Sequence, residues 1–240
     1  MGITNKKMGI ICTFGPSSWN YAKEFKDSGM SLARFNGSFG LPYSGLIKEL
    51  KEIGIKILLD LPGERAKTKH KYIQDSELIE FAKQNKLDYV SISYVKNSDQ
   101  ITNLRKLVQP YGIKIIGKVE TKEAIEDINN LKEIIKESDI VMIDRGDLSK
   151  SIGFEKVPKY QYLITQLCNQ LNKEVIIATG NMMSKVDSEQ VSCGDVANVY
   201  FSISNGADHI MLSEETAVGK YPLEAIQIVK KIINEFSSSD

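Results

Sequence analysis

Cysteine is scarce in this chain: Cys12, Cys168 and Cys193 are far apart and odd in number, so they suggest no disulfide framework. Cys12 sits in an apolar run and Cys168 in a helical pattern. The thiols therefore read as buried and structural, as expected in a reducing, cytoplasmic setting. Histidine is rarer still, with only His70 and His209, and no cysteine pair stands at zinc spacing, which argues against a zinc site. Net charge is missing too, because 31 Lys and Arg balance 31 Asp and Glu. A neutral chain offers no electrostatic pull toward nucleic acid or a membrane surface. No apolar run approaches the ~20 residues of a membrane-spanning helix. The opening Met1-Gly-Ile-Thr-Asn-Lys-Lys lacks the apolar stretch of a secretory signal. No tract reads as a linker or a second domain, so residues 1–240 are expected to form one domain with a frayed end at Ser237–Asp240.

What is present is an eightfold alternation of a short apolar run with a helical stretch. The runs are Gly9–Phe14, Ser31–Asn36, Lys56–Leu61, Tyr89–Tyr94, Lys114–Val119, Ile140–Asp144, Val175–Thr179 and His209–Ser213. They are β-branched and nearly continuous in hydrophobicity, as strands covered on both faces are. The segments between them carry helical period. Ile125, Ile128, Leu131 and Ile135 recur in Thr121–Glu137, and Leu223, Ile226, Val229 and Ile233 recur behind Pro222. Strands alternating with single helices imply right-handed βαβ units and a parallel sheet. Eight units in 240 residues favour a closed (β/α)₈ TIM barrel, typically ~250 residues, over an open doubly wound sheet.

In such a barrel the C-terminal strand ends converge on one mouth. Here they carry Arg34, Asn36 and Ser38; Asp60, Arg65 and Lys67; Lys118 and Glu120; Asp144, Arg145, Gly146 and Asp147; Thr179 and Asn181; and Ser213, Glu214 and Glu215. Mixed acids and bases at so many ends exceed what a solvated rim needs. Glu120 and Asp147 follow adjacent strands, and an all-oxygen pair suits Mg²⁺ or Mn²⁺. Arg34 and Lys118 add positive charge suited to a ligand with phosphate and carboxylate groups. Plainer readings stand beside these. Arg34 can pair with Asp60, Lys118 with Glu120, and Asp144 and Arg145 can be mouth salt bridges. His209 begins its strand at the opposite end and reads as structural, His70 as solvated, and Trp19 and the tyrosines as packing groups.

The chain resembles the pyruvate kinase family over its catalytic barrel. The resemblance lies in Ile11-Cys-Thr-Phe-Gly-Pro-Ser-Ser, Ala33-Arg-Phe-Asn, Leu58-Leu-Asp-Leu, Ile115-Ile-Gly-Lys-Val-Glu, Arg145-Gly-Asp-Leu, Ile177-Ala-Thr, Asp195-Val-Ala-Asn and Met211-Leu-Ser-Glu-Glu-Thr-Ala-Val-Gly-Lys-Tyr-Pro. It implies that Glu120 and Asp147 hold the divalent metal and that Lys118 and Arg34 contact the phosphoryl group. The Gly146 and Asp147 amides with the Thr179 hydroxyl would then cradle a pyruvate or phosphoenolpyruvate carboxylate. Thr179 and Ser213 would flank the route by which the enolate carbon is protonated.

The departures from the family are as informative. The family's lid domain is expected to be missing, because residues 68–74 run straight into a helix at Ser76–Lys86; the C-terminal regulatory domain is expected to be missing too. Phe39, Gly180 and Gln190 replace a His, a Gln and an Arg of the family. Asn36, Ser38 and Asp60 match a K⁺ site whose fourth ligand is Leu61 here, and Arg65 stands as the replacement cation, so no K⁺ requirement is expected. Three functions follow in order of preference. The first is a Mg²⁺-dependent phosphotransferase on phosphoenolpyruvate or pyruvate, with a nucleotide as acceptor. The second is a pyruvate-enolate aldolase or lyase with an aldehyde acceptor. The third is a non-catalytic relic. Self-association into a homo-oligomer is expected.

Overall fold

The computed structural model describes residues 8–39, 42, 44–63 and 75–238. Eight parallel strands close into a barrel in chain order: β1 (Gly9–Phe14), β2 (Leu32–Asn36), β3 (Lys56–Leu61), β4 (Tyr89–Ile92), β5 (Lys114–Val119), β6 (Ile140–Asp144), β7 (Glu174–Ala178) and β8 (His209–Leu212). β8 pairs back onto β1, with Gly9 opposite His209 and Cys12 opposite Leu212. That pairing excludes the open sheet and leaves no unpaired edge. β4, β7 and β8 stop before Tyr94, Thr179 and Ser213, which the hydrophobic runs had included. Tyr94 and Thr179 have φ of 55° and 68°, and a left-handed residue cannot continue a ladder.

Two apolar cores result. One fills the barrel with Ile11, Leu32, Leu58, Tyr89, Ile116, Met142, Ile176, Met211 and their neighbours. The larger lies between sheet and helices, where Phe14 contacts Phe25 and Phe35. Trp19 stacks on Phe35 there, a packing role as expected. Strand alternation then builds the site. Two residues beyond Leu32, Leu58, Tyr89, Ile116 and Met142 come Arg34, Asp60, Ser91, Lys118 and Asp144. Period two sends each to the same interior face as its apolar predecessor, one layer nearer the mouth. All five are buried.

The helical stretch 121–137 is not one helix. It divides into Lys122–Glu126 and Ile128–Glu137 at Asp127, which is extended and caps the second helix by accepting from the Asn129 amide at 2.8 Å. Ile128, expected on the buried stripe, is therefore 40% exposed. The helix after β3 spans Asp75–Gln84, and the last spans Pro222–Ser237 with Ile226 and Val229 buried. Cys12 and Cys168 are buried but Cys193 is exposed, which corrects the expectation of three buried thiols. Cys193 opens a helix behind the Ser192 cap, where its side chain faces no core. His209 bonds Glu174 at the N-terminal end of the barrel, away from the mouth, and His70 lies outside the described residues. Among the described residues, no helix is long and apolar enough to cross a membrane.

Candidate active site

Lys118, on β5, is the centre of a buried charge cluster. Its Nζ lies 3.1 Å from Glu120, 3.3 Å from Asp144 and 3.5 Å from Asp60, and donates to the Ser93 hydroxyl at 3.2 Å. Arg34, on β2, donates to Asp60 from Nε and Nη2 and to the Thr13 hydroxyl from Nη1. The pairings Arg34–Asp60 and Lys118–Glu120 are thus both present. They do not close the balance. Three buried carboxylates, Asp60, Glu120 and Asp144, face two cations, and the half-buried Asp147 adds a fourth acid, whose ion pair among the described residues is with the exposed Lys150 at 2.8 Å.

The uncompensated charge has a definite location. One oxygen each of Glu120, Asp144 and Asp147 lie within 4.8 Å of one another. Glu120 Oε2 is buried and, despite its ion-pair distance to Lys118, accepts no hydrogen bond among the described residues. Burial pushes the Glu120 carboxyl up to about 7, with Lys118 opposing and Asp144 adding to the rise. Three oxygen donors, one with an unused lone pair, fit a hard divalent cation. Asp144 belongs to this group as well, and its ion pair with Lys118 at 3.3 Å agrees with the plainer reading of a mouth salt bridge. Burial disfavours the charged form of Lys118, but Asp60, Glu120 and Asp144 outweigh it and hold the ammonium above its ordinary range. Burial likewise pushes Asp60 up, and Lys118, Arg34 and the Ser91 hydroxyl overcome it, leaving the carboxyl below the usual carboxylate range.

Above the cluster a cavity of about 620 Å³ opens at the mouth, bordered by Thr13, Arg34, Asn36, Tyr94, Asp144, Gly146, Asp147, Thr179 and Ser213. Lys118 and Glu120 lie beneath it. Gly146 N–H and the Thr179 hydroxyl, both expected in a carboxylate cradle, donate to Asp144 Oδ1 at 3.2 and 2.8 Å. Of the three residues matched to a K⁺ site, Asn36 accepts from the Ser38 amide at 3.0 Å. Ser38 Oγ is buried without a hydrogen-bond partner among the described residues, and Asp60 is engaged as above. Arg65 lies outside the described residues.

Residues 44–226 match the family model for the pyruvate kinase barrel domain. The chain belongs to the pyruvate kinase family. Pyruvate kinase of Thermotoga maritima is 35% identical over 164 residues, covering 68% of this chain and 34% of the relative. Pyruvate kinase of Mycoplasma genitalium is 37% identical over 177 residues, covering 72% and 34%. Pyruvate kinase 2 of Synechocystis sp. is 33% identical over 250 positions, covering 99% and 42%. The chain spans about a third of the length of the first of these curated relatives.

Two supports of this pyruvate kinase-family mouth were not read from the sequence as such. Arg145 forms no salt bridge with Asp144. It donates instead to the Thr179 carbonyl and to Asn181 and Asn198, while Asn198 donates to the Gly180 carbonyl. Glu215 accepts from the amides of Asn181, Met182 and Ser213. Together they hold Thr179 in its left-handed conformation. The other support is the end of β4, which carries no charge: Ser91 donates to Asp60 at 2.6 Å, Ser93 to the Leu61 carbonyl at 2.7 Å, and Tyr94 reaches both Glu120 and Asp147. Tyr94 was expected to be a packing group and is corrected here to a cavity residue.

Proposed function

We propose that this barrel is a Mg²⁺- or Mn²⁺-dependent phosphotransferase that handles phosphoenolpyruvate or pyruvate through an enolate. The reading rests on one observation: Glu120, Asp144 and Asp147 converge beside the protonated Lys118 under an open cavity. A divalent cation held by those carboxylates would supply positive charge against an enolate or phosphoryl oxygen. Lys118 supplies a second, fixed positive charge. Its raised pKa keeps the proton on Nζ, so it acts electrostatically and not as a base. Arg34 borders the cavity and is locked by Asp60 and Thr13, which preorganises it for a phosphoryl oxygen. A substrate carboxylate would take the Gly146 amide and the Thr179 hydroxyl from Asp144 and add the Asp147 amide. The Thr179 and Ser213 hydroxyls stand on the side proposed for protonation of the enolate carbon, and Ser213 Oγ has no hydrogen-bond partner among the described residues. The test is phosphorus NMR of phosphoenolpyruvate, ADP and Mg²⁺. Appearance of ATP supports the kinase; phosphoenolpyruvate left intact by folded protein contradicts it.

A second reading, a pyruvate-enolate aldolase or lyase, draws on the short connection of residues 62–74 between β3 and the helix Asp75–Gln84. No lid domain fits there to exclude water from a nucleotide, and an open mouth suits an aldehyde acceptor. Independence from K⁺ is part of both readings. Asp60 already faces Arg34, Lys118 and Ser91, and Leu61 has no side-chain oxygen while its carbonyl accepts from Ser93. Turnover in buffer without K⁺ or Na⁺ checks this, and strict stimulation by K⁺ contradicts it. Self-association is supported by Phe154 and Phe201, 82% and 62% exposed beside one groove.

A further inference from the structure

Tyr94 is held in an unusual conformation for an aromatic residue. Its φ of 55° lies in the left-handed region, where a bulky side chain is disfavoured by roughly 1–3 kcal/mol. Strain of this kind persists where surrounding contacts over-determine the backbone. Here the contacts lead to two acids. The Tyr94 backbone N–H donates to Glu120 Oε1 at 2.7 Å, and its phenol donates to Asp147 Oδ2 at 3.1 Å. Glu120 follows β5 and Asp147 lies in the helix behind β6, so no local chain geometry fixes one against the other. Gly63, itself at φ +62°, leaves room beside Tyr94, since a Cβ there would stand 3.5 Å from the Tyr94 ring and 3.1 Å from the Ser93 carbonyl oxygen. In an extended conformation at Tyr94, the strand would continue and the amide and phenol would not reach the two carboxylates together.

We propose that Tyr94 is the positioning residue of the cation site, clamping Glu120 with its amide and Asp147 with its phenol so that their remaining oxygens converge. The proposal rests on the reading that Glu120, Asp144 and Asp147 hold a divalent cation. Each carboxylate then spends one oxygen on Tyr94 and keeps the other for the site. For Glu120 the kept oxygen is Oε2, the buried acceptor without a hydrogen bond among the described residues. For Asp147 it is Oδ1, which also meets the 78% exposed Lys150 at 2.8 Å and can exchange that surface partner for the cation. Hydrogen bonds to metal-ligating carboxylates fix their orientation and typically change metal affinity by about 10–100-fold.

Tyr94→Phe removes one oxygen and leaves the ring, the backbone amide and its bond to Glu120 in place. Mn²⁺ binding is measured by electron paramagnetic resonance on wild type, Tyr94→Phe and Glu120→Gln, with the thermal midpoint of each recorded in EDTA. The expected result is Mn²⁺ bound by wild type, affinity lowered by roughly tenfold in Tyr94→Phe, and binding lost in Glu120→Gln. The Tyr94→Phe midpoint in EDTA should stay close to that of wild type, because a purely structural phenol would move the midpoint and leave the affinity alone. Wild-type binding with Tyr94→Phe equal to it within twofold overturns the role of Tyr94 while leaving the cation site standing. Failure of wild type to bind Mn²⁺ overturns the cation reading itself, and the clamp with it. Should Tyr94→Phe fold poorly, Tyr94→Asn, which suits the left-handed backbone and removes the phenol while keeping the amide, serves as the second variant: Mn²⁺ affinity within twofold of wild type there contradicts the clamp as well.

Discussion

At Lys118 the local electrostatics and the proposed chemistry are the same fact. Three carboxylates hold the ammonium protonated in a site where burial alone would strip it, so the residue is costly to remove. Lys118→Met leaves Glu120 and Asp144 buried without their cation, a loss expected at about 3–5 kcal/mol in EDTA. Mn²⁺ should restore part of that stability while turnover stays down by on the order of 10²–10³. Denaturation with and without Mn²⁺, beside an activity assay, checks both halves. Asp60 gives a pH signature. Its carboxyl sits below the ordinary range because Lys118 and Arg34 overcome burial. A depressed carboxyl stabilises above the unfolded value, about pH 4, and loses that contribution as pH falls toward the folded value. The stability gap between wild type and Asp60→Asn should be full at neutral pH and narrow on acidification below about pH 4. A gap that widens in acid contradicts the pairing. The charged members of this cluster were legible from sequence because strand-end acids and bases are conspicuous. Tyr94, Ser91 and Ser93 were not, since hydroxyls carry no charge and look like strand filler.

Among the elements, the strands were easier to read than their ends. β1, β3, β5 and β6 fall on the hydrophobic runs residue for residue, because a buried parallel strand must be apolar on both faces. β4 and β7 end early for a reason that hydropathy does not carry: left-handed backbone at Tyr94 and Thr179, held there by hydrogen bonds from distant residues. The helical stretch after β5 misled for the opposite reason. Its apolar spacing runs across Asp127 unbroken, yet Asp127 ends one helix and caps the next. Asp127 is exposed, so its contribution is the cap alone. Asp127→Ala should cost about 1 kcal/mol in urea denaturation with no change in Mn²⁺ affinity. A neutral substitution would mean that the second helix does not depend on that cap.

Over the whole molecule, a net charge of zero conceals an excess of negative charge gathered at one end of a barrel. That concentration, and not the fold, carries the functional argument, since barrels host many chemistries. The outer surface adds its own expectation. Phe154→Asp with Phe201→Asp should shift the protein toward monomer in sedimentation velocity, and unchanged mass would place any subunit contact elsewhere. The proposed enolate can be tested directly. Pyruvate incubated with the protein and Mg²⁺ in D₂O should lose its methyl proton signal at a rate proportional to enzyme, and the loss should cease with EDTA or in Lys118→Met. A folded, Mg²⁺-saturated protein that leaves the pyruvate methyl group unexchanged would contradict the account at its centre.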